Sequence, residues 1–345
     1  MTQAIQALPW MTDINQQVAV LWAQQKMPHA ICLHGQLGLG QRHQLAYMTS
    51  MLFCENKSDP AKPCGGCRQC TLFNNKEHPD MLILAPGDKS TSIGIDQIRQ
   101  LTDFVMGTAY FAPMRIVIVD PLEAMTVAAS NALLKMLEEP PPNVYFLVST
   151  TKLSQLMPTI RSRLQFFSVL PPEFGAFCLW VQAVLESLEE PKCDHEVLYN
   201  AFLLAQKGPF LALEYILAHT KSQHETTELL FSFKRDPKQA DLVSEYLRFQ
   251  EVIKGPPAAA TMHLGVLIKT VGVQIAFLFF DLWLEDALAS LKEQPDAAAQ
   301  HTRIEVLWQA YSRIQQMRED LVRSPQLNKV YLERELLDIW VATAT

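Results

Sequence analysis

The sequence contains a glycine-rich loop that decides its fold, Gly35-Gln36-Leu37-Gly38-Leu39-Gly40-Gln41-Arg42. Its pattern is that of a phosphate-binding loop, in which glycines allow a tight turn from a strand to a helix and backbone N–H groups cradle phosphates. Gln41 replaces the lysine that reaches the β- and γ-phosphates, and Arg42 replaces the hydroxyl that binds Mg²⁺. The loop therefore predicts a nucleotide-binding fold, with Gly35, Gly38 and Gly40 as candidate binding residues, that has lost side chains needed to hydrolyse ATP.

A strand of the Walker B type lies further along the chain, Ile116-Val117-Ile118-Val119-Asp120. In that motif the terminal aspartate holds Mg²⁺ and the next acid polarises the attacking water, but here Pro121 stands in the place of the acid. Taken alone, the segment is a buried strand that ends in a turn-forming Asp-Pro pair. Together with the altered glycine loop, it indicates a disabled ATPase in which Asp120 remains from the metal site.

The composition describes a folded chain of more than one domain. Of its 345 residues 49% are hydrophobic, which is enough for two or three cores. The net charge of −7 excludes a protein that coats nucleic acid by itself, because such binding depends on neutralising phosphates. No signal-peptide pattern opens the sequence, and the most apolar stretch, residues 271–280, is too short to span a bilayer. We therefore expect a cytoplasmic protein without a membrane segment.

Two kinds of periodicity divide the chain. In the first half, continuous apolar strands alternate with segments of helical spacing. The expected strands are residues 30–34, 80–84, 115–120 and 144–149. This alternation predicts an α/β domain over residues 1–170, a parallel sheet with helices on both faces. After Pro171-Pro172, helical spacing alone predicts a small helical domain at 171–220 and an all-α C-terminal domain at 221–345.

Four of the seven cysteines lie in one short segment, Cys54-x9-Cys64-x2-Cys67-x2-Cys70. Four thiolates at this spacing favour a tetrahedral structural zinc, and we call residues 54–78 the zinc module. An iron–sulfur cluster is disfavoured because no cysteine follows Cys70 at the x3 spacing of the ferredoxin run, and free thiols are the third interpretation. His78 could replace one thiolate, although a solvated or capping histidine is the favoured interpretation.

Three further motifs identify a family resemblance. They are Ser92-Ile93-Gly94-Ile95-Asp96-Gln97-Ile98-Arg99, Asn131-Ala132-Leu133-Leu134-Lys135-Met136-Leu137-Glu138-Glu139-Pro140-Pro141 and Ser162-Arg163. With the glycine loop and the cysteine insert behind its helix, they resemble the clamp-loader branch of the AAA+ ATPases over residues 1 to about 220. The resemblance implies an AAA+ module, in which the α/β domain carries a small helical lid at 171–220, and a C-terminal collar at 221–345 for oligomerisation.

The resemblance also implies roles for individual residues. Arg163 matches the arginine of the family's Ser-Arg-Cys motif, which reaches into the ATP site of a neighbouring subunit, although Leu164 replaces the cysteine. Thr151 lies where the family has its first sensor residue. The second sensor arginine would fall near Phe210 and is absent, which is a further departure from an active ATPase.

The resemblance implies a structural role in DNA replication. The chain would be a non-hydrolysing, stator-like subunit of the replicative clamp loader in the DNA polymerase III holoenzyme, with a structural Zn²⁺ and no ATP hydrolysis of its own. The implied partners are the ATP-hydrolysing gamma or tau subunits and the clamp-opening delta subunit. The sliding clamp and primer-template DNA would be reached through the assembly.

Two other functions remain open on the sequence. The first is an active AAA+ ATPase in which Arg42 supplies the charge of the missing lysine. The second is a zinc-dependent nucleic-acid-binding module. The acidic balance disfavours the second, as does the presence of Arg68 as the single basic side chain between Cys64 and Cys70.

Overall fold

A computed structural model of the chain describes residues 5–87, 90–220, 242–253, 264, 273–292, 297–323 and 329–344. The all-α domain predicted over 221–345 is therefore described in part. Its first segment, residues 221–241, lies outside the described residues.

Within the described residues, five parallel strands form one sheet in the order β2-β3-β4-β1-β5. They are β1 (Ala30–His34), β2 (Met81–Leu84), β3 (Arg115–Val119), β4 (Val144–Thr150) and β5 (Gln165–Ser168). Strand β1 lies between β4 and β5, with Cys32 opposite Val148 on one side and Phe166 on the other. The apolar runs predicted β1 to β4 correctly. Strand β5 was missed because only Phe167 of its four residues is buried, so it gives no apolar run.

Helices cover both faces of this sheet. They are α1 (Thr12–Ala23), α2 (Gln41–Phe53), α3 (Arg68–Asn74), α4 (Ile95–Met106), α5 (Val127–Glu138), α6 (Pro158–Arg161) and α7 (Phe174–Ser187). Successive residues of a strand point to opposite faces. Accordingly, Ile31 and Leu33 of β1 pack in one core cluster with α1 and α2, whereas Cys32 packs in the other with α4 and α5. The predicted parallel sheet with helices on both faces is confirmed.

The described chain divides into two compact units. The first comprises residues up to Ser187 together with Gly208–Leu211, and it contains the whole sheet. The second comprises Leu188–Lys207 and residues from Ala212 onward. The domain boundaries near 170 and 220 stay predictions.

Where the second unit is described, its regular structure is helical. The helices are α8 (His195–Leu204), α9 (Pro209–His219, whose first turn belongs to the first unit), α10 (Leu242–Ile253), α11 (Val273–Lys292), α12 (Ala297–Arg323) and α13 (Lys329–Ala344). Tyr246 and Phe249 of α10 pack against Phe279 of α11, with ring centroids 5.0 and 5.6 Å apart. The helical C-terminal region is thus confirmed over these residues. Among the helices that the structure describes, none is long and apolar enough to cross a membrane.

Candidate nucleotide site and metal centre

The glycine loop connects β1 to α2, and its backbone requires glycine. Gly38 and Gly40 have φ of +83° and +89°, a region that side-chain-bearing residues rarely adopt. A Cβ at Gly35 would lie 2.7 Å from the Val169 carbonyl oxygen, and one at Gly40 would collide with the ring of Phe210. The backbone of this turn therefore accommodates only glycine at these positions.

Gln41, which stands in place of the lysine, is turned back into the loop. Its side-chain Nε2 donates hydrogen bonds to the carbonyl oxygens of Gly35 at 3.0 Å and of Gln36 at 2.8 Å. The residue is only 6% exposed. The amide therefore ties the start of the loop to the start of α2, and both of its N–H groups have acceptors within the loop.

Arg42, which stands in place of the Mg²⁺-binding hydroxyl, forms an ion pair with Asp120. Its Nε lies 2.6 Å from Oδ2 of the carboxylate, and the Ser149 hydroxyl donates to Oδ1. Asp120 directly follows β3, and Ser149 lies in the neighbouring strand β4. The structure thus brings together the two positions that share the metal in a working site, and a guanidinium group meets the carboxylate there.

Thr151, the candidate sensor residue, is held by Glu123, a residue to which the sequence motifs assign no role. Its backbone N–H and its hydroxyl donate to Oε1 of Glu123 at 2.9 and 2.6 Å. Burial favours the neutral carboxyl, but hydrogen bonds from Thr151 and Thr150 outweigh it and lower the pKa of Glu123 below its ordinary value. The sequence did offer a signal for this role, since Glu123 lies only three residues after Asp120.

The loop borders a cavity of about 260 Å³, which is slightly smaller than the range of about 300–1,000 Å³ for small-molecule sites. Its lining includes Gln41, Arg42, Asp120 and Thr151, so the candidate nucleotide residues do converge. Arg163 is not among the lining residues.

An aromatic cluster also packs against the loop. The Trp10 indole Nε1 donates to the Leu39 carbonyl at 3.0 Å, and the Phe210 backbone N–H donates to the Gly38 carbonyl at 2.9 Å. The ring of Trp180 lies 5.1 Å from that of Phe210. Near the position where a second sensor arginine would stand, this chain therefore has a buried apolar contact.

Arg163, the candidate arginine finger, lies two residues beyond α6 and is partly exposed, at 32% of its side chain. Its Nη2 lies 2.7 Å from Oε1 of Glu138, the last residue of α5. Its Nη1 donates to the Thr159 carbonyl at 2.7 Å and to the Ser162 hydroxyl at 3.2 Å. The guanidinium is thus held at the surface by its own chain.

The four clustered cysteines converge as the spacing predicts. Their Sγ atoms all lie within 4.8 Å of one another, and those of Cys64 and Cys70 are 4.0 Å apart. Sulfurs at 2.3 Å from a tetrahedral zinc would be about 3.8 Å apart, so the geometry fits that ion. Backbone N–H groups of Cys64, Cys67 and Cys70 point at the sulfurs of the preceding cysteines, at 3.3, 3.3 and 3.5 Å. Such bonds stabilise thiolates.

Protonation differs among the sulfurs. Hydrogen bonds from the backbone N–H groups of Gly66 and Cys67 lower the pKa of the exposed Cys64 thiol to about 6. Burial raises the pKa of Cys54. A metal ion would therefore have to displace a proton from Cys54 in order to bind there.

His78 does not complete the group of four sulfurs, because both of its ring nitrogens are engaged in other hydrogen bonds. Its Nε2 lies 2.8 Å from Oε1 of Gln69, and its Nδ1 accepts a hydrogen bond from the backbone N–H of Asp80 at 3.2 Å. The interpretation of a solvated histidine is wrong, since the residue is only 4% exposed. Its ring does act as a capping acceptor, just ahead of β2. Burial lowers its pKa, which keeps the ring neutral.

The zinc module is fastened to a loop that precedes β3. Gln69 of α3 donates to the Phe111 carbonyl at 3.0 Å, and the guanidinium of Arg68 lies 4.0 Å from the centre of the Phe111 ring. The buried carboxylate of Asp80 accepts hydrogen bonds from three successive backbone N–H groups of the same loop, residues 110–112, at 2.7, 2.8 and 2.9 Å. This role of Asp80 was not predicted from the sequence, although a charged residue at the start of an apolar strand was an available signal.

The parallel sheet, the glycine turn into α2 and the aspartate at the end of β3 define a protein of the AAA+ class. Residues 11–173 match a family described as DNA polymerase III, delta subunit.

Curated relatives of this chain are delta′ subunits of DNA polymerase III. DNA polymerase III subunit delta′ of Haemophilus influenzae is 30% identical over 251 residues, which cover 69% of this chain and 75% of the relative. The same subunit of Pseudomonas aeruginosa is 35% identical over 189 residues, covering 52% of this chain and 57% of the relative. The match thus spans little more than half the length of the Pseudomonas protein. A gamma subunit-related protein of Thermotoga maritima is a solved structure with 19% identity and a TM-score of 0.44, covering 99% of this chain and 100% of its own.

This chain belongs to the DNA polymerase III subunit delta′ family.

Proposed function

We propose that this chain is a non-hydrolysing subunit of the sliding-clamp loader in the DNA polymerase III holoenzyme. The observation that carries the proposal is the ion pair between Arg42 and Asp120 at 2.6 Å. Membership of the delta′ family supports the setting in a clamp loader.

The ion pair matters because hydrolysis of ATP needs four groups in this place. A lysine draws charge from the β- and γ-phosphates, a hydroxyl and an aspartate hold Mg²⁺, and an acid orients the water. Here Gln41 donates to loop carbonyls, Arg42 neutralises Asp120, and Pro121 cannot act as a base. Mg²⁺ could reach Asp120 only if the ion pair first broke, and Arg42 would then lie as a cation beside the metal.

The chain would act on a nucleotide that another subunit binds. Arg163 would place its guanidinium against the γ-phosphate of ATP in a neighbouring gamma or tau subunit, stabilising the charge that develops during hydrolysis. The partial exposure of Arg163 and its absence from the lining of the chain's own cavity support a role in trans. The delta subunit, the sliding clamp and primer-template DNA complete the proposed assembly, in which residues 171–220 form the lid and residues 221–345 the collar.

The zinc module would be structural. Cys54, Cys64, Cys67 and Cys70 would hold one Zn²⁺ and leave no open position for catalysis. Its link to the loop at residues 110–112 supports a role in fixing local structure.

The alternative of an active ATPase, in which Arg42 supplies the missing lysine charge, is disfavoured by the engagement of Arg42 with Asp120. The alternative of a nucleic-acid-binding zinc module is disfavoured by the stacking of Arg68, its one basic side chain between Cys64 and Cys70, on Phe111.

The experiment that tests the proposal compares the chain alone with the reconstituted assembly. The purified chain should hydrolyse ATP at background rate. Added to gamma or tau and delta subunits, it should be needed for ATP-dependent loading of clamps onto primed DNA. Clamp loading at full rate without this chain would contradict the proposal, as would turnover by the chain alone that Asp120→Asn abolishes.

A further inference from the structure

The carboxylate of Glu138 and the guanidinium of Arg163 meet where α5 and the segment after α6 come together, 2.7 Å apart. We infer that Glu138 is a positioning residue that holds Arg163 in the orientation from which it engages a neighbour's nucleotide. This inference rests on the proposed function of Arg163.

Three acceptors fix the plane of the guanidinium. The Thr159 carbonyl of α6 and the Ser162 hydroxyl of the following turn bind Nη1, and both lie within four residues of Arg163 in the chain. Glu138 binds Nη2 and comes from a separate helix. Without Glu138, only contacts to these nearby residues would remain, and a long side chain would be free to rotate about its distal bonds. Because a planar fork pairs with phosphate oxygens in a defined direction, the loss of that orientation should slow the reaction.

The core fixes the two backbones that carry the pair. Leu133 and Leu137 of α5 are buried against the sheet, and Ile160 of α6 is buried in the same cluster. The prolines after Glu139, at 140–142, end α5 beside its last residue. Glu138 therefore presents its carboxylate from a rigid element rather than from a loop, as accurate positioning requires.

The pair does not prevent Arg163 from acting. Its side chains are 32% and 43% exposed, so a phosphate in a subunit interface can reach the guanidinium while Nη2 stays on Glu138. Among the described residues, Nε of Arg163 has no hydrogen-bond partner, which leaves it as a donor for an incoming oxygen.

Glu139 provides a matched control. It is the next residue, carries the same charge and is exposed, but it has no contact with Arg163 in the described part of the chain. Replacing either glutamate removes the same charge from the same surface, so a difference between the two variants reports the contact itself.

The test uses the assembled clamp loader with the full-length chain. In this assembly, each ATPase subunit carries alanine at the position that is equivalent to Arg163. The DNA- and clamp-stimulated ATPase then reports the site that Arg163 serves. Glu138→Ala should lower kcat about two- to fivefold, the rate equivalent of an exposed ion pair, and leave KM for ATP unchanged. Glu138→Gln, which keeps an acceptor, should retain most of the rate, and Glu139→Ala all of it.

A double-mutant cycle separates positioning from a general structural role. In an Arg163→Ala background, Glu138→Ala should cause no further loss. Wild-type kcat for Glu138→Ala would overturn the inference, and so would a loss that persists in the Arg163→Ala background or that equals the loss from Glu139→Ala. If Glu138→Ala lowers kcat while Arg163→Ala does not, the proposed role of Arg163 fails, and the inference fails with it.

Discussion

The ring of His78 is stacked on the ring of Phe53, with centroids 3.9 Å apart and planes 4° from parallel. This contact joins the end of the zinc module to the end of α2, inside the core of the first unit. It also places an ionisable ring where protonation is unfavourable, because burial lowers the pKa of His78.

The first prediction is a stability that depends on pH through His78. The folded state binds this proton less tightly than the unfolded state, so the contribution of the neutral ring is present above about pH 6.5 and is lost as pH falls toward the lower folded pKa. The urea concentration at the midpoint of unfolding should therefore decrease as the pH is lowered from 7.5 to 6.0. The zinc content should be checked at each pH. His78→Gln should destabilise the chain by about 1–3 kcal/mol and flatten this dependence. His195→Gln, which replaces an exposed histidine, is the control. If the urea midpoint of His78→Gln depends on pH as steeply as that of the unaltered chain, the prediction is wrong.

The second prediction concerns the altered nucleotide loop. Gln41→Lys alone should leave ATP binding weak, because Arg42 still neutralises Asp120. The double change of Gln41→Lys with Arg42→Thr restores a phosphate cation and a metal ligand, and it should tighten Mg²⁺-ATP binding about tenfold or more, as a charge-assisted hydrogen bond allows. Isothermal titration calorimetry would measure the affinity of both variants for Mg²⁺-ATP. Equal tightening by Gln41→Lys alone would show that the ion pair does not block the site.

The third prediction is one zinc per chain. Structural zinc contributes roughly 10–16 kcal/mol of apparent binding free energy in small peptide sites, so Cys67→Ser should lose the metal and unfold the zinc module locally. The sheet should persist, because its two core clusters consist mainly of residues outside the module. Elemental analysis and circular dichroism would check this. Iron in the purified protein, or no metal without chelator treatment, would contradict it.

The fourth prediction concerns the contact between the zinc module and the loop at residues 110–112. Removing zinc should speed hydrogen exchange at these three amides, which donate to Asp80, more than at amides of the central strand β1. Gln69→Ala removes the bond to Phe111 without touching a sulfur, and it should make exchange in the loop less sensitive to the metal. Exchange that is unchanged by chelation would show that the loop is held by Asp80 alone.

The fifth prediction is a selective loss from Arg163→Ala. Folding and assembly should be intact, and the stimulated ATPase of the complex should fall at one interface. Arginine fingers supply about 10³–10⁵ in rate at their own site, but the loss for the whole complex should be much smaller because other sites have other arginines. Arg163→Lys should rescue poorly, since an ammonium lacks the planar fork. Arg161→Ala is the control, and a larger loss from it would contradict the assignment.

The features that the sequence predicted depend on residues that are close to one another along the chain. Apolar runs identified four strands, the glycine spacing identified the loop, and the cysteine spacing identified four sulfurs that converge in the structure. It did not predict the pairing of Arg42 with Asp120, because that contact depends on which strands are adjacent in the sheet. The roles of Glu123 and Asp80 were missed for the same reason, since each carboxylate binds backbone from a distant segment.

The Arg42–Asp120 pair also bears on the evolutionary history of the chain. A reversion at position 41 alone would add a second cation beside Arg42, and a reversion at position 42 alone would leave a mostly buried carboxylate without its partner. Each single step back toward an ATPase therefore passes through a less stable protein with no gain in activity. For the non-hydrolysing subunit proposed above, ATP hydrolysis could therefore return only if positions 41 and 42 changed together.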